Sequence, residues 1–217
     1  MITTILLSVL VIAAFVVASE HLWLQKKISG ETARKLVHLG HGGVVAFWPF
    51  FLSTNWIVLL CSINIATMLF ARRFSIVRGG YDVKRQTWGE VLFPAAIAIC
   101  ALLKPNKWIF LAAILHLGIA DALAALVGTK YGKDNRYKVW GETKSFAGSL
   151  AFWVTSLLII IFVIQLSPSG LGYMILPALL LIPLMSTALE SLAVKGMDNI
   201  VVPLFVLLAL SALQLVS

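Results

Sequence analysis

Long apolar runs separated by short polar segments dominate this 217-residue sequence. Hydrophobic residues make up 60% of the chain and charged residues only 12%, whereas a soluble chain is about one quarter charged. Such a chain has too few polar side chains to cover a globule in water. Because each membrane-spanning helix needs roughly 20 apolar residues, the sequence predicts an all-α, polytopic transmembrane bundle of about eight spans, as a single domain over residues 1–217.

The predicted spans follow the apolar runs between charges and turn residues. They are Ile2–Leu22, Leu36–Leu52, Trp56–Ala71, Val91–Leu103, Trp108–Val127, Phe146–Leu166, Leu171–Ala193 and Ile200–Val216. The fourth is short for a bilayer, so we expect Gly89 and Glu90 to extend it or the helix to tilt. Lys26 and Lys27 follow the first run and no cation precedes it, which is the wrong polarity for a signal peptide. We therefore predict a retained first helix.

Cationic residues alternate from loop to loop. They cluster after the first, third, fifth and seventh spans, whereas the other loops contain only Lys104 and Lys107. Cytoplasmic loops carry an excess of Lys and Arg, so these odd-numbered loops are predicted to be cytoplasmic and both termini outside. This topology accounts for the formal net charge of +8 without nucleic acid as a partner. All nine carboxylates lie in or near the predicted cytoplasmic loops: Glu20, Glu31, Asp82, Glu90, Asp121, Asp134, Glu142, Glu190 and Asp198.

Asp121 is the most informative of these carboxylates because it lies inside the fifth predicted span. A carboxylate at hydrocarbon level costs at least about 2.5 kcal/mol and is a functional hypothesis by default. Ala124, Ala125 and Gly128 follow it on the same helix face, which allows a ligand or a neighbouring helix to approach closely. A helix-packing seam, with Asp121 hydrogen-bonded to a neighbour, is the alternative interpretation.

Other ionisable residues are predicted at nearly the same membrane depth. Glu190 lies about one turn inside the seventh span and Glu90 opens the fourth, although an interfacial position without a ligand is the alternative for each. Arg34 and His38 are spaced i, i+4 and share a face at the start of the second span, where such a pair can hold an anion. His38 and the nearby His41 are equally consistent with structural hydrogen bonds.

The loop after the fifth span, residues 128–149, combines glycines with five cationic side chains. These are Lys130, Lys133, Arg136, Lys138 and Lys144. Thr143 and Ser145 precede the sixth span, whose N-terminal N–H groups and positive dipole end point at this loop, as in phosphate sites. A solvated basic loop with an ordinary helix cap is the alternative. No P-loop and no zinc motif is present in the sequence.

Together these features suit a phosphorylated, water-soluble ligand that meets a lipid at the cytoplasmic leaflet. Cations and the helix N-terminus would bind phosphates, and carboxylates would hold Mg²⁺. Phosphoryl transfer needs mainly positioning and charge stabilisation, so these residues are sufficient for it.

Five motifs, in this order, resemble the polyprenol kinase family. They are Arg34-Lys35-Leu36-Val37-His38, Gly89-Glu90-x-x-Phe93-Pro94, Asp121-Ala122-x-Ala124-x-x-x-Gly128, Lys144-Ser145-x-x-Gly148-Ser149 and Glu190. The family includes dolichol kinase, phytol and farnesol kinases and the CTP-dependent diacylglycerol kinases, with the CDP-diacylglycerol synthases as more distant relatives. The similarity runs from Arg34 to Pro203.

The resemblance implies a CTP-using lipid kinase that needs a divalent cation and requires Arg34, Lys35, Asp121 and Gly128 for activity. The family's Lys-Thr pair is here Lys144-Ser145, which keeps the hydroxyl group. The chain is much shorter than eukaryotic dolichol kinases. This difference argues against dolichol as the substrate and favours a compact prokaryotic protein of the plasma membrane.

We therefore predict a kinase that transfers the γ-phosphate of CTP to a prenyl alcohol or diacylglycerol at the cytoplasmic face. The predicted catalytic residues are Asp121, Arg34, Lys35 and Lys144. The predicted nucleotide site consists of Arg34, Lys35, His38, Gly128, Lys130, Lys144, Ser145 and Gly148. The predicted metal ligands are Asp121, Glu190 and Glu142, and the predicted lipid contacts are Glu90 and His41. The sequence makes no prediction of oligomeric state.

Two alternatives remain open. A cytidylyltransferase of the CDP-lipid type would use the same loop and carboxylates, but such enzymes have a segment ending in Lys-Thr/Ser-x-Glu-Gly, and residues 144–148 lack that Glu. A transporter or scaffold would place polar groups near the bilayer midplane within paired repeats. Here they collect at one leaflet and the sequence shows no repeat.

Overall fold

The computed structural model describes residues 2–74, 88–103, 105–167 and 174–216. Within these ranges the chain is mainly helical. The helices are α1 (Ile2–Leu24), α2 (Gly30–Val45), α3 (Thr54–Arg73), α4 (Gly89–Leu102), α5 (Lys107–Leu115), α6 (Asp121–Tyr131), α7 (Phe146–Leu166), α8 (Ile175–Leu192) and α9 (Asp198–Val216). A π-helical turn, His116–Ala120, joins α5 to α6, and a 3-10 turn covers Trp48–Phe50. Strands β1 (Arg136–Val139) and β2 (Glu142–Ser145) precede α7.

Every predicted span overlaps a helix when α5, the π turn and α6 are taken as one. Among the residues that the structure describes, four helices are long and apolar enough to cross a membrane: Ile2–Leu24, Lys107–Tyr131, Phe146–Leu166 and Ile175–Leu192. Helices α3, α4 and α9 contain shorter apolar stretches. The predicted helical, multi-pass membrane fold fits these findings, whereas the number of eight spans and the outer location of the termini stay predictions.

Some sequence predictions concern residues outside the described ranges. These residues are Arg78, Asp82, Lys84, Arg85, Lys104 and the predicted start of the seventh span at Leu171.

The second predicted span differs most from its expected bounds. Helix α2 begins at Gly30, not at Leu36, because Ser29 caps it. The Ser29 hydroxyl accepts a hydrogen bond from the Thr32 N–H at 3.2 Å, which satisfies one of the N–H groups that a helix start leaves unpaired. This earlier start places Lys35 in the second turn of the helix, where its side chain is buried.

The basic loop after α6 contains a β-hairpin that the sequence analysis did not predict. Strands β1 and β2 pair antiparallel, with Arg136 opposite Ser145. Trp140 and Gly141 form the connecting turn, and both have positive φ angles, 48° and 84°. Two consecutive positive φ values are the requirement of a type I′ turn. The hairpin therefore fixes Lys144, near the end of β2, relative to the start of α7.

The continuous helix formed by α5, the π turn and α6 lies at the centre of the bundle. Over its apolar stretch 78% of the residues are buried inside the protein, compared with 11% for α1. Phe110, Leu111 and Ile114 of α5 are buried among α7, α9 and α2. Helix α1 packs on α2 and exposes apolar side chains such as Leu10 and Val17, as a helix facing lipid does.

A glycine contact brings α2 against the central helix. Gly42 of α2 and Gly118 of the π turn lie so close that a Cβ on Gly118 would stand 2.6 Å from the Gly42 Cα. Small residues permit such close approach of helices in membranes. Lys35, two turns before Gly42, is thereby directed at Asp121, which follows the π turn.

We expect Gly42→Ala to destabilise the bundle by about 1–3 kcal/mol, because the new methyl group collides with the Gly118 backbone. Gly43→Ala is the matched control, since a Cβ there meets no atom within 4 Å and Ala has the higher helix propensity. Thermal unfolding of the two variants in detergent measures the difference. Equal melting temperatures would show that this contact does not constrain the fold.

Candidate active site

A polar cleft of about 530 Å³ lies at one end of the bundle. It is lined by the first two turns of α2, the face of α6 from Asp121 to Thr129, the hairpin, and the start of α7. Glu190, near the end of α8, and Asp198, at the start of α9, complete its wall. The cleft therefore collects residues from segments that are distant in the sequence.

Lys35 and Asp121 form an ion pair at the deep end of this cleft. The Lys35 Nζ donates to Asp121 Oδ2 at 2.5 Å, and the two side chains are only 7% and 8% exposed. At the cleft edge, Arg34 donates to both carboxylate oxygens of Glu31, at 2.6 and 3.1 Å. Arg34 therefore lies at the edge of the cleft, whereas Lys35 contacts the buried carboxylate of Asp121.

Lys144 forms a second ion pair on the opposite wall. Its Nζ donates to Glu190 Oε1 at 2.5 Å and to the Glu190 carbonyl oxygen at 2.8 Å, which joins the hairpin to α8. Burial acts to lower the pKa of Lys144, but the nearby carboxylates of Glu190 and Asp198 outweigh burial and raise this pKa above its ordinary value. Lys144 is therefore cationic at neutral pH.

Asp198 brings a third carboxylate to the same place. One oxygen each of Asp121, Glu190 and Asp198 lies within 4.8 Å of the others. Asp198 accepts a hydrogen bond from the Asn199 N–H at 3.1 Å, and no Lys or Arg of the described residues forms an ion pair with it. Hard divalent cations bind to carboxylate oxygens, so this group of three carboxylates is a candidate metal site.

The turn between α8 and α9 is held in place by the start of α4. Gly196 has a φ of 87°, and a Cβ there would stand 3.0 Å from the Gly89 nitrogen. The Asn199 side chain donates to the Gly89 carbonyl oxygen at 3.3 Å. The Gly89-Glu90 motif therefore positions the turn that carries Asp198, while the Glu90 side chain is exposed and does not line the cleft.

The start of α7 forms the remaining polar wall. Ser145 caps this helix, because its Oγ accepts a hydrogen bond from the Gly148 N–H at 3.1 Å. Gly148 faces Gly128 of α6, and a Cβ on Gly148 would stand 3.4 Å from the Gly128 Cα and 2.9 Å from the Ala124 carbonyl oxygen. These glycines let α6 and α7 approach closely and keep the N-terminus of α7 open to the cleft, where its dipole favours an anion.

The structure thus brings together most of the residues that the sequence singled out. Those that line the cleft are Arg34, Lys35, Asp121, Gly128, Lys144, Ser145, Gly148 and Glu190. Asp198 and Asn199 also line it and were not predicted as site residues. The only sequence signal was that Asp198 belongs to the carboxylates near the predicted cytoplasmic loops, and this did not distinguish it from Asp134 or Glu20.

Five predicted site residues do not line the cleft. They are His38, His41, Glu90, Lys130 and Glu142. Glu142 accepts a hydrogen bond from the Lys195 N–H at 2.7 Å, and Asp198 stands where Glu142 was expected in the carboxylate group. Lys130 is exposed beside Tyr131. His38 and His41 pack on Phe93, with ring centroids 4.6 and 5.2 Å apart.

The chain is similar in sequence to two named kinases. The chain is 29% identical over 178 residues to phytol kinase of Synechocystis, an alignment that covers 80% of this chain and 76% of that protein. It is 32% identical over 96 residues to dolichol kinase of Saccharomyces cerevisiae, covering 44% of this chain and 18% of the yeast protein. No protein-family model and no solved structure matches the chain.

These relatives confirm two predictions. Both relatives are named as kinases, which confirms the predicted enzyme class, a phosphotransferase acting on an alcohol group. More particularly, the chain is related to the polyprenol kinase family, as its motifs indicated.

We expect Lys35→Met to destabilise the protein by about 3 kcal/mol or more, because it leaves the Asp121 carboxylate buried without a partner. The double variant Lys35→Met/Asp121→Leu should recover most of that loss, since no isolated charge remains. Unfolding in detergent measures both, with the exposed Lys133→Met as a control expected within about 0.5 kcal/mol of the parent. A double variant as unstable as the single one would contradict this account of the pair.

Proposed function

We propose that this protein is a CTP-dependent kinase that transfers the γ-phosphate to a prenyl alcohol at the cytoplasmic leaflet of a prokaryotic plasma membrane. The single observation that carries the proposal is the convergence of Asp121, Glu190 and Asp198 beside Lys35 and Lys144 in one cleft. The named relatives act on phytol and dolichol, which supports an isoprenoid alcohol as acceptor. CTP as donor and the cytoplasmic orientation rest on the family resemblance and on the distribution of cations.

The three carboxylates are the proposed site of Mg²⁺. Their oxygens lie within 4.8 Å of one another. Small movements of the side chains would therefore bring all three oxygens to the short distance that Mg²⁺ requires from its ligands. Asp121, Glu190 and Asp198 would hold the ion, which would neutralise charge on the phosphates during transfer.

Lys35 and Lys144 are proposed to exchange partners when the nucleotide binds. In the described structure each ammonium group neutralises one carboxylate, at 2.5 Å in both cases. If Asp121 and Glu190 held a divalent cation, Lys35 and Lys144 would be free to bind phosphate oxygens. Arg136 and the N-terminus of α7 add positive charge on the same side. The buried charges are thus paired both before and after binding.

The proposed reaction is a direct transfer. The alcohol oxygen forms a bond to the γ-phosphorus, the bond from that phosphorus to the β–γ bridging oxygen breaks, and CDP leaves with the electron pair. The hydroxyl proton passes to a cleft carboxylate or to water. Because an alkanol is a very weak acid, the carboxylate acts late or by orienting the hydroxyl. Asp121, at the deep end of the cleft, is the residue that we assign to this position.

Purified protein in detergent is expected to transfer label from the γ-phosphate of CTP to phytol or geranylgeraniol and to transfer none from the α-phosphate. Asp121→Asn should lower turnover by at least about 10³-fold, because the carboxylate charge contributes to positioning and electrostatic stabilisation of the transition state. The substitution leaves the buried Lys35 ammonium without its carboxylate, so thermal unfolding of the variant is measured as well, and turnover is compared at a temperature at which the variant is folded.

The matched control is Asp134→Asn, which removes an exposed carboxylate outside the cleft lining and should retain full turnover. Label from the α-phosphate in a lipid product would identify a CDP-lipid cytidylyltransferase instead. Diacylglycerol as the preferred acceptor would correct the substrate, and an active Asp121→Asn variant would exclude the assigned role.

The carboxylate group also predicts a cation effect on stability. Mg²⁺ or Mn²⁺ alone should raise the melting temperature of the parent protein, because bound cation favours the folded state. Asp198→Asn should lose most of this shift, whereas Glu142→Gln should keep it, since Glu142 lies outside the group. The reverse result would restore Glu142 as the third ligand and reject Asp198.

A further inference from the structure

His38 lies at the boundary between the cleft and the apolar core. It is one turn beyond Lys35 on α2, whose first turns line the cleft and whose last residue, Val45, belongs to the core. The His38 carbonyl oxygen would stand 3.3 Å from a Cβ on Gly118, one turn before Asp121 on the central helix. His38 therefore lies on the core side of the Lys35–Asp121 pair along α2.

The His38 ring has a hydrogen-bonding atom that the described residues do not satisfy. The residue is 7% exposed, and its Nδ1 is buried without a hydrogen-bond partner. Nearly all buried polar atoms in proteins are paired. The other buried histidine follows that rule, because His116 Nδ1 bonds to the Ala112 carbonyl oxygen and its Nε2 to Ser156 Oγ, both at 2.7 Å. His38 is thus an exception, and it lies beside the candidate active site.

The surroundings of His38 favour a ligand with a small polar group on an apolar body. Phe93 packs on the ring at 4.6 Å and provides an apolar wall. Arg34 and Lys35 precede His38 by about one turn on α2, and Lys35 is paired with Asp121 at the deep end of the cleft. A nucleotide would enter from the opposite, polar end of the cleft. A lipid whose tail stays in the hydrocarbon region has to pass the level of His38 before its head reaches Asp121.

Resting on the proposed kinase function, we propose that His38 Nδ1 binds the hydroxyl group of the lipid alcohol, while Phe93 contacts the first carbons of its chain. In the complex without nucleotide the hydroxyl donates its hydrogen to the unprotonated Nδ1, and this contact holds the alcohol beside the deep end of the cleft, where Asp121 orients the hydroxyl during transfer. His38 is then a residue of the lipid site, in contrast to its assignment to the nucleotide from the sequence.

Steady-state kinetics of two substitutions test this assignment. We expect His38→Phe, which keeps the ring volume but removes Nδ1, to raise the KM for geranylgeraniol about tenfold and to leave the KM for CTP within about twofold. His38→Asn places an amide near the position of Nδ1 and should restore most of the affinity for the alcohol. A raised KM for CTP with an unchanged KM for the alcohol would overturn the proposal. Equal losses in both variants would do the same, because they would indicate a packing role.

A binding measurement separates this proposal from the kinase function. Without nucleotide, geranylgeraniol should raise the melting temperature of the parent protein more than geranylgeranyl methyl ether, which has no hydroxyl hydrogen to donate. In His38→Phe the two lipids should give the same shift. If the parent transfers phosphate but His38→Phe still distinguishes the lipids, the proposal fails and the kinase stands. If the parent transfers nothing and the variant loses the distinction, the lipid site stands and the kinase fails.

Discussion

The buried ion pair between Lys35 and Asp121 is the interaction on which the cleft depends. Two charges with less than a tenth of their side-chain surface exposed are stable only together, because an isolated buried charge costs several kcal/mol. The pair joins residues 86 positions apart and requires α2 to lie directly against the central helix. The contact of Gly42 with Gly118 permits that approach, and the π turn between α5 and α6 precedes Asp121. Such π-helical turns are frequent at functional sites.

The second pair, Lys144–Glu190, repeats the arrangement on the other wall. Together the two pairs allow a protein largely covered by apolar side chains to keep charged groups in a cleft at the end of its bundle. Each lysine neutralises a carboxylate in this structure, and in the proposed mechanism each would bind phosphate after its carboxylate turns to a cation. The same buried charges therefore serve both the stability of the cleft and the proposed transfer. Asp198, which has no paired cation among the described residues, is the carboxylate most available to an incoming ligand.

Local patterns in the sequence predicted a substantial part of the site. Asp121 was recognised because a carboxylate within an apolar run is costly, and Ser145 because it directly precedes a span whose N-terminus favours an anion. Gly128 was recognised because it shares a helix face with Asp121, and Gly148 because it belongs to a motif that resembles the family. Asp198 was not, because nothing local distinguishes a carboxylate at one helix start from those in solvated loops. Glu90 was predicted to belong to the site from its membrane depth and its motif, and Glu142 as a metal ligand of the basic loop, but neither lines the cleft.

The sequence by itself determined that the chain is a helical membrane protein, where its apolar helices lie, and which family it resembles, because these properties depend on composition, periodicity and short motifs. Only the tertiary structure decided which charges pair and which carboxylates converge. It also decided that Gly89 supports the α8–α9 turn and that His38 Nδ1 lacks a partner. Those facts depend on how α2, the central helix, the hairpin and α9 meet, and a contact between distant segments leaves no periodic signal in either segment alone.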